Sequence, residues 1–136
     1  MLERMGPNMG DDAIERLREI CLAFPEAEER PFAGHTSPSF RVRDKFFAMV
    51  NEARTQVTCK ALPGAQEVLV GSNPERFFVP AYVGHKGWIG IRLDAVHDWD
   101  ELGDLIEQSY RMTAPKRVVA AFDAERQAST MVPNKS

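Results

Sequence analysis

Three short runs of alternating apolar and polar residues constrain the fold more than any other feature of this chain. They cover residues 40–43, 46–50 and 57–60, and only a few turn-forming residues separate each run from the next. Alternation with a period of two is typical of β-strands that bury one face. The segment therefore predicts three neighbouring strands joined by tight turns.

The middle run is apolar at every position. Its alternation places Phe46, Ala48 and Val50 on one face of the strand, and Phe47 and Met49 on the other. We therefore expect this strand to be buried on both faces.

Helical spacing of apolar residues and start and stop signals predict helices on both sides of the strands. Asp12 with Glu15, and Asp98 with Glu101, have the spacing of a capping box at a helix start. The expected helices cover residues 12–24, 63–71, 98–110 and 115–123.

Weaker patterns complete the prediction. We expect Glu28–Phe32 to be a short edge strand, residues 76–82 to be extended, and residues 88–93 to be a strand. The short central helix is expected to turn Val68 and Leu69 inward.

Together these elements predict an α+β fold. It is a single domain with a mostly antiparallel sheet, flanked by an N-terminal helix, a short central helix and two C-terminal helices. In the chain of 136 residues we expect a flexible segment over 1–10, the domain over 11–123, and a partly disordered tail over 124–136.

The compartment can be predicted from apolar runs and cysteine usage. No run approaches the ~20 apolar residues of a membrane span, and the first residues lack the pattern of a signal peptide. Cys21 and Cys59 do not form a disulfide framework and are expected to be buried thiols. We therefore predict a cytoplasmic protein.

Charge is unevenly distributed along the chain. The net charge is −3, yet residues 30–92 hold nine basic and four acidic residues, which gives a local excess of +5. A local positive field favours phosphate contacts, although the solvated face of a sheet has the same composition. The candidates for nucleic-acid contact are Arg41, Arg43, Lys45, Arg54, Lys60 and Arg92.

No catalytic constellation lies at a diagnostic spacing. The histidines His35, His85 and His97 lack the i, i+4 spacing of a zinc-binding helix, and neither cysteine lies in a Cys-x-x-Cys pair. Cys59 as a nucleophile needs a base such as His35 or His85, which only the fold can supply. We therefore predict no metal, no cofactor and no enzymatic activity.

A pocket is the alternative to a nucleic-acid surface. His35 in a loop, with Tyr82 and Trp88, is expected to line it. The basic strands then attract an anionic small molecule or an acidic protein.

Three stretches together resemble the MmcQ/YjbR family over about residues 12–123. The first stretch is Gly34-His35-Thr36, followed by Phe40-Arg41-Val42 and Lys45-Phe46-Phe47-Ala48. The second is Gly87-Trp88-Ile89-Gly90-Ile91-Arg92-Leu93-Asp94. The third is Ser109-Tyr110-Arg111, followed by Ala114-Pro115-Lys116-Arg117.

The resemblance implies a "double wing" α+β fold and a non-enzymatic DNA-binding module. Ser37-Pro38-Ser39 departs from the family pattern, which usually has one small residue at this point. Two interpretations follow: a DNA-binding sheet surface, or a small-ligand or protein-binding domain with a pocket near His35 and Trp88.

Overall fold

The three central runs form the middle of an antiparallel sheet. The computed structural model describes residues 9–31, 37–96 and 98–131, and in these residues six strands pair in the order β1-β2-β3-β4-β6-β5. Every neighbouring pair is antiparallel, as predicted. The strands are β1 Ala27–Glu29, β2 Ser39–Val42, β3 Lys45–Val50, β4 Gln56–Lys60, β5 Phe77–Phe78 and β6 Trp88–Arg92.

Four helices surround the sheet in the described part of the chain, which confirms the predicted α+β class. Helices α1 and α3 contact each other, and α3 packs across β3 and β4. Short 3-10 turns cover Gly84–Lys86 and Leu93–Ala95. The helices are α1 Met9–Leu22, α2 Ala65–Ser72, α3 Trp99–Thr113 and α4 Lys116–Met131.

The helix ends differ from the sequence prediction by one to three residues in most places, and by more at the end of α4. Helix α1 begins at Met9, so Asp12 lies inside its first turns and does not cap it. Helix α4 continues to Met131 although its apolar stripe fades after Asp123, because Ala, Glu, Arg and Gln favour helix in the residues that follow. The predicted cap of α3 is confirmed, since Asp98 accepts hydrogen bonds from the backbone N–H groups of Asp100 (2.9 Å) and Glu101 (3.2 Å).

Helix α2 combines a half-buried apolar side, where Leu69 and Val70 pack against the core, with a polar anchor. Val68 was predicted to point inward, but 65% of it is exposed, and α2 has no fully buried residue. Gln66 anchors the helix, because its Nε2 donates to the carbonyl oxygens of Gly84 (2.8 Å) and Trp88 (2.7 Å).

A tight hairpin and a β-bulge set the faces of β3. Arg43 and Asp44 form the turn, and both have positive φ (51° and 73°), as in the hairpin turns that match strand twist. Phe40 pairs with Ala48, whereas Arg41 pairs with Phe46, so Phe47 is an extra residue in β3. The bulge places Phe47 in the core beside Ala48 and leaves Phe46 half-buried on the opposite face. The prediction that Phe46 shares a face with Ala48 is wrong for this reason.

The first edge strand and the strands of the second half of the sheet are shorter than predicted. The edge strand covers Ala27–Glu29 and ends before residue 30, whereas Phe32 lies outside the described residues; the edge position of the strand is confirmed. The predicted extended segment 76–82 contributes only Phe77–Phe78 to the sheet.

The sheet has one helix-covered face and one open face. The helix-covered face carries the cross-strand row Phe40, Ala48, Cys59 and Ile89, all fully buried in one cluster with residues of α1 and α3. The open face carries a second cross-strand row, which consists of Ser39, Met49, Thr58 and Gly90.

Aromatic rings tie the helices to the helix-covered face. Tyr110 of α3 stacks on Phe24 with ring centroids 4.6 Å apart, and Phe47 meets Tyr110 edge-on at 5.5 Å. The Tyr110 hydroxyl donates to the Pro25 carbonyl at 2.8 Å, so this buried tyrosine has its polar group satisfied.

Candidate ligand-binding groove

A groove of about 770 Å³ lies along the open face of the sheet. Strands β3 and β4 form its length, and the turn of residues 81–83 forms one side. Two members of the cross-strand row, Ser39 and Thr58, line the groove with small side chains. We call this feature the open-face groove.

Gly90 ends the cross-strand row of the open face, and a larger residue would not fit there. A Cβ atom added there would lie 2.2 Å from the Phe78 ring, which covers this position from β5. The guanidinium of Arg92 in turn lies 4.9 Å from the centre of the Phe78 ring. This end of the open face is therefore filled by the protein's own side chains.

Apolar and aromatic side chains make up most of the groove lining. Phe46 and Met49 come from β3, Val83 from the turn, and Trp88 from the start of β6. Trp88 is only 6% exposed, so its ring forms part of the floor. A concave apolar site with a few polar groups is typical of small-molecule binding.

Two lysines give the groove a positive end. Lys45 begins β3, and Lys60 ends β4 directly opposite Trp88. The acidic lining residue Glu52 follows the far end of β3. Because β3 spans six residues, the two ends lie roughly 17 Å apart at a rise of about 3.3 Å per residue.

Lys60 is positioned from the helix-covered face. The β3–β4 register ends with Ala48 opposite Cys59. Ser109 of α3, which is fully buried, bridges the next pair: its Oγ donates to the Phe47 carbonyl at 2.6 Å and accepts from the Lys60 N–H at 2.9 Å. A helix hydroxyl therefore replaces a sheet hydrogen bond at the positive end of the groove.

Tyr82 stands at the rim of the groove. Its side chain is 93% exposed, and its backbone has a positive φ of 68°. The Val83 N–H donates to the Ala81 carbonyl at 2.7 Å, which makes residues 81–83 a γ-turn. The structure thus brings the predicted ligand residues Tyr82 and Trp88 to one site, whereas His35 lies outside the described residues.

Only part of the predicted basic surface reaches the groove. Lys45 and Lys60 line it, and Arg41 lies beside it with its guanidinium 4.5 Å from the centre of the Phe46 ring. Arg41 is also 3.8 Å from Asp44, and its buried Nε has no hydrogen-bond partner among the described residues.

The other three predicted cations do not line the groove, and each has its own surroundings. Arg43 forms a two-pronged ion pair with Glu26, which raises the pKa of Arg43 and lowers the pKa of Glu26 through these hydrogen bonds. Arg92 donates to the Pro74 carbonyl at 2.9 Å. Arg54 lines a separate cavity of about 330 Å³ beside α1 and Trp99. The six cations predicted for nucleic-acid contact therefore do not form one surface.

Sequence reasoning missed two contributors to the groove. Phe46 was assigned to the core because the bulge at Phe47 leaves no signal in the alternation of an all-apolar run. Ser109 was predicted to face inward, but its role between two strands depends on the packing of α3 across the sheet.

Both cysteines are buried thiols. Burial raises the pKa of the Cys59 thiol to about 12 and raises that of Cys21 well above its usual value, so both stay protonated. Within the described residues, no group of three or more His, Cys, Asp and Glu side chains is placed to hold a metal ion. No helix among these residues is long and apolar enough to cross a membrane.

Comparison with known proteins identifies the family of this fold. No curated protein matches the chain significantly. The crystal structure of DR2400 from Deinococcus radiodurans, a DUF419-domain protein, aligns with a TM-score of 0.66 and 21% identity. The alignment covers 73% of this chain and 76% of that one, and it supports the fold alone. The YjbR family profile matches residues 22–112, about two thirds of the sequence, and the chain therefore belongs to the YjbR family.

Proposed function

We propose that this protein binds a small organic anion in the open-face groove. The observation that carries the proposal is the pairing of an apolar, aromatic floor with Lys45 and Lys60 at one end. An apolar floor supplies affinity through buried area, and two ammonium groups select the charge and orient the ligand.

The role we propose is binding without catalysis. Acid–base or nucleophilic chemistry needs a titratable group with a perturbed pKa in the site. The described thiols, Cys21 and Cys59, are buried on the helix-covered side and away from the groove. Their reduced, buried state also fits the cytoplasmic location that we propose.

The binding test uses a charged ligand and its neutral counterpart. Isothermal titration with octanoate and 1-octanol should give binding of the acid that is about tenfold or more tighter than binding of the alcohol. Replacing Lys45 and Lys60 by Met should weaken octanoate binding by about tenfold or more, since each partly exposed ion pair contributes up to about 1 kcal/mol. The same double change at the exposed Lys86 and Lys116 is the matched control and should leave binding unchanged.

Two results would contradict the proposal. One is equal binding of the acid and the alcohol. The other is an equal loss of octanoate affinity in the groove variant and in the control variant.

DNA binding through the basic sheet residues is the second candidate function. Arg41, Lys45 and Lys60 lie on or beside an open sheet face that also presents Phe46 and Trp88. Proteins that bind single strands combine basic grooves with stacking rings in this way. What weighs against a duplex-binding surface is the separation of Arg43, Arg54 and Arg92 from the groove.

DNA binding can be recognised by the salt dependence of its affinity. Fluorescence anisotropy of labelled single-stranded and duplex DNA at about 50 mM salt should show an affinity that falls steeply as salt rises. Replacing both Arg41 and Lys60 by Glu should abolish DNA binding. Absence of binding at low salt, or binding that these substitutions leave intact, would exclude this function.

A further inference from the structure

The placement of Tyr82 at the groove is not explained by the folding of the chain. Its side chain is 93% exposed, so it adds almost no buried area to the core. Its φ of 68° lies in the left-handed region, where a bulky residue is strained. Strained residues of this kind persist where surrounding contacts fix them, and they concentrate at ligand contacts.

The turn that carries Tyr82 is fixed on both sides. The Val83 N–H donates to the Ala81 carbonyl at 2.7 Å, and the Gly84 N–H donates to the Pro80 carbonyl at 2.9 Å. Gln66 of α2 binds the Gly84 carbonyl and a carbonyl of β6 with the same amide nitrogen. These hydrogen bonds fix the backbone of the turn against α2 and β6, so the turn holds the Tyr82 ring at the rim of the groove.

Further aromatic rings face the same space. Trp88 lies in the floor and Phe46 lies on β3, with the Arg41 guanidinium packed on the Phe46 ring. Aromatic rings attract one another beyond the area they bury, and they stack on any flat π-system. A saturated ring of the same size would bury similar area but would gain no stacking.

Resting on the proposed function, we infer that the ligand is a planar aromatic ring bearing a carboxylate or a phosphate. Tyr82 covers one face of the ring, and Phe46 and Trp88 contact its other side. The anionic group reaches Lys45 and Lys60. Tyr82 is in this sense the residue that selects planar ligands over saturated ones.

The experiment uses Trp88 as its own reporter. The chain has two tryptophans, and Trp99→Phe leaves Trp88 as the only one. Fluorescence titrations of this variant compare 2-naphthoate with decalin-2-carboxylate, which has the same charge and similar size but no flat ring. AMP is the third probe, and it separates a phosphate ester from a carboxylate as the anionic group.

We expect 2-naphthoate or AMP to bind about tenfold tighter than decalin-2-carboxylate, the ratio that one aromatic contact supplies. Tyr82→Ala should weaken the binding of 2-naphthoate and AMP more than that of decalin-2-carboxylate, which removes this preference, and Tyr82→Phe should retain it. The thermal melt of Tyr82→Ala should match that of the parent, because the side chain is exposed.

The outcomes separate this inference from the proposed function. Equal binding of the planar and saturated acids, or a planar preference that survives Tyr82→Ala, overturns the inference while lysine-dependent binding still stands. Binding of either acid that is indifferent to Lys45→Met with Lys60→Met overturns both, as does absence of binding by all three probes.

Discussion

The two faces of one sheet are built from alternate residues of the same strands, yet they differ in what they contribute. On the helix-covered face, Phe40 and Cys59 have no exposed surface. On the open face, Arg41 and Thr58 are their direct neighbours along the strands and stay half-exposed around a groove. The contrast indicates that one face stabilises the fold and leaves the other exposed to solvent.

The chain's two tyrosines allow a direct test of this comparison. Tyr110 is fully buried, stacked on Phe24 and hydrogen-bonded to Pro25, whereas Tyr82 is 93% exposed. We expect Tyr110→Ala to lower the free energy of unfolding by about 3–5 kcal/mol, as for other large aromatic truncations in a core. Tyr82→Ala should change it by less than about 0.5 kcal/mol.

Urea denaturation followed by circular dichroism measures both variants. Tyr110→Phe serves as the control, because it keeps the ring and removes only the hydroxyl. Comparable losses of stability for Tyr82→Ala and Tyr110→Ala would mean that the open face also holds the fold together, and the division between the faces would fail.

Alternation in the sequence predicted the covered face well and the open face poorly. Val57, Cys59, Ile89 and Ile91 are buried as their period of two requires. The bulge at Phe47 changes the period in a run where all residues are apolar, so no polar residue marks the slip. Regular strands can therefore be predicted from pattern, whereas a bulge depends on the partner strand.

The charge pattern was a weaker guide for a related reason. The excess of basic residues in the central segment is real, but its members find partners that are distant in sequence. Arg43 pairs with Glu26 across 17 positions, and Arg92 binds a backbone carbonyl 18 positions away. Composition does not show these partners, because the fold brings them together.

Ser109 links the two faces, and its removal is the second test. Ser109→Ala leaves the Phe47 carbonyl and the Lys60 N–H without their shared partner. Leaving buried polar groups unsatisfied should lower the free energy of unfolding by about 1–3 kcal/mol. It should also speed hydrogen exchange at the Lys60 amide, which NMR measures. Ser72→Ala, at the exposed end of α2, is the matched control. If the hydrogen-exchange rate of the Lys60 amide is unchanged in Ser109→Ala, the hydroxyl does not link α3 to the two strands.

Thiol reactivity provides a third, kinetic comparison of the faces. Burial raises the pKa of Cys59 to about 12, so almost none is thiolate at mildly alkaline pH, and the thiolate is the reactive form. A disulfide reagent should therefore label the buried thiols of the native protein only as fast as the fold opens and exposes them. Thr58→Cys adds a thiol on the open face and should give one additional, fast-reacting equivalent. Fast labelling of the unmodified protein would contradict burial of the covered face.

The smallest expected effect concerns the rim of the helix-covered side, where Arg111 of α3 pairs with Asp123 of α4 at 2.7 Å. This hydrogen bond lowers the pKa of Asp123 below its ordinary value of 3.8. Because the folded-state pKa is lowered, the stabilisation is complete above the ordinary value and is lost as pH falls through the lowered one. Asp123→Asn should therefore melt slightly below the unmodified protein at neutral pH, and the difference should vanish in strong acid and shrink in high salt. Asp104→Asn, an exposed change on α3, is the control. A difference that is the same at every pH would show that the ion pair adds nothing to this face.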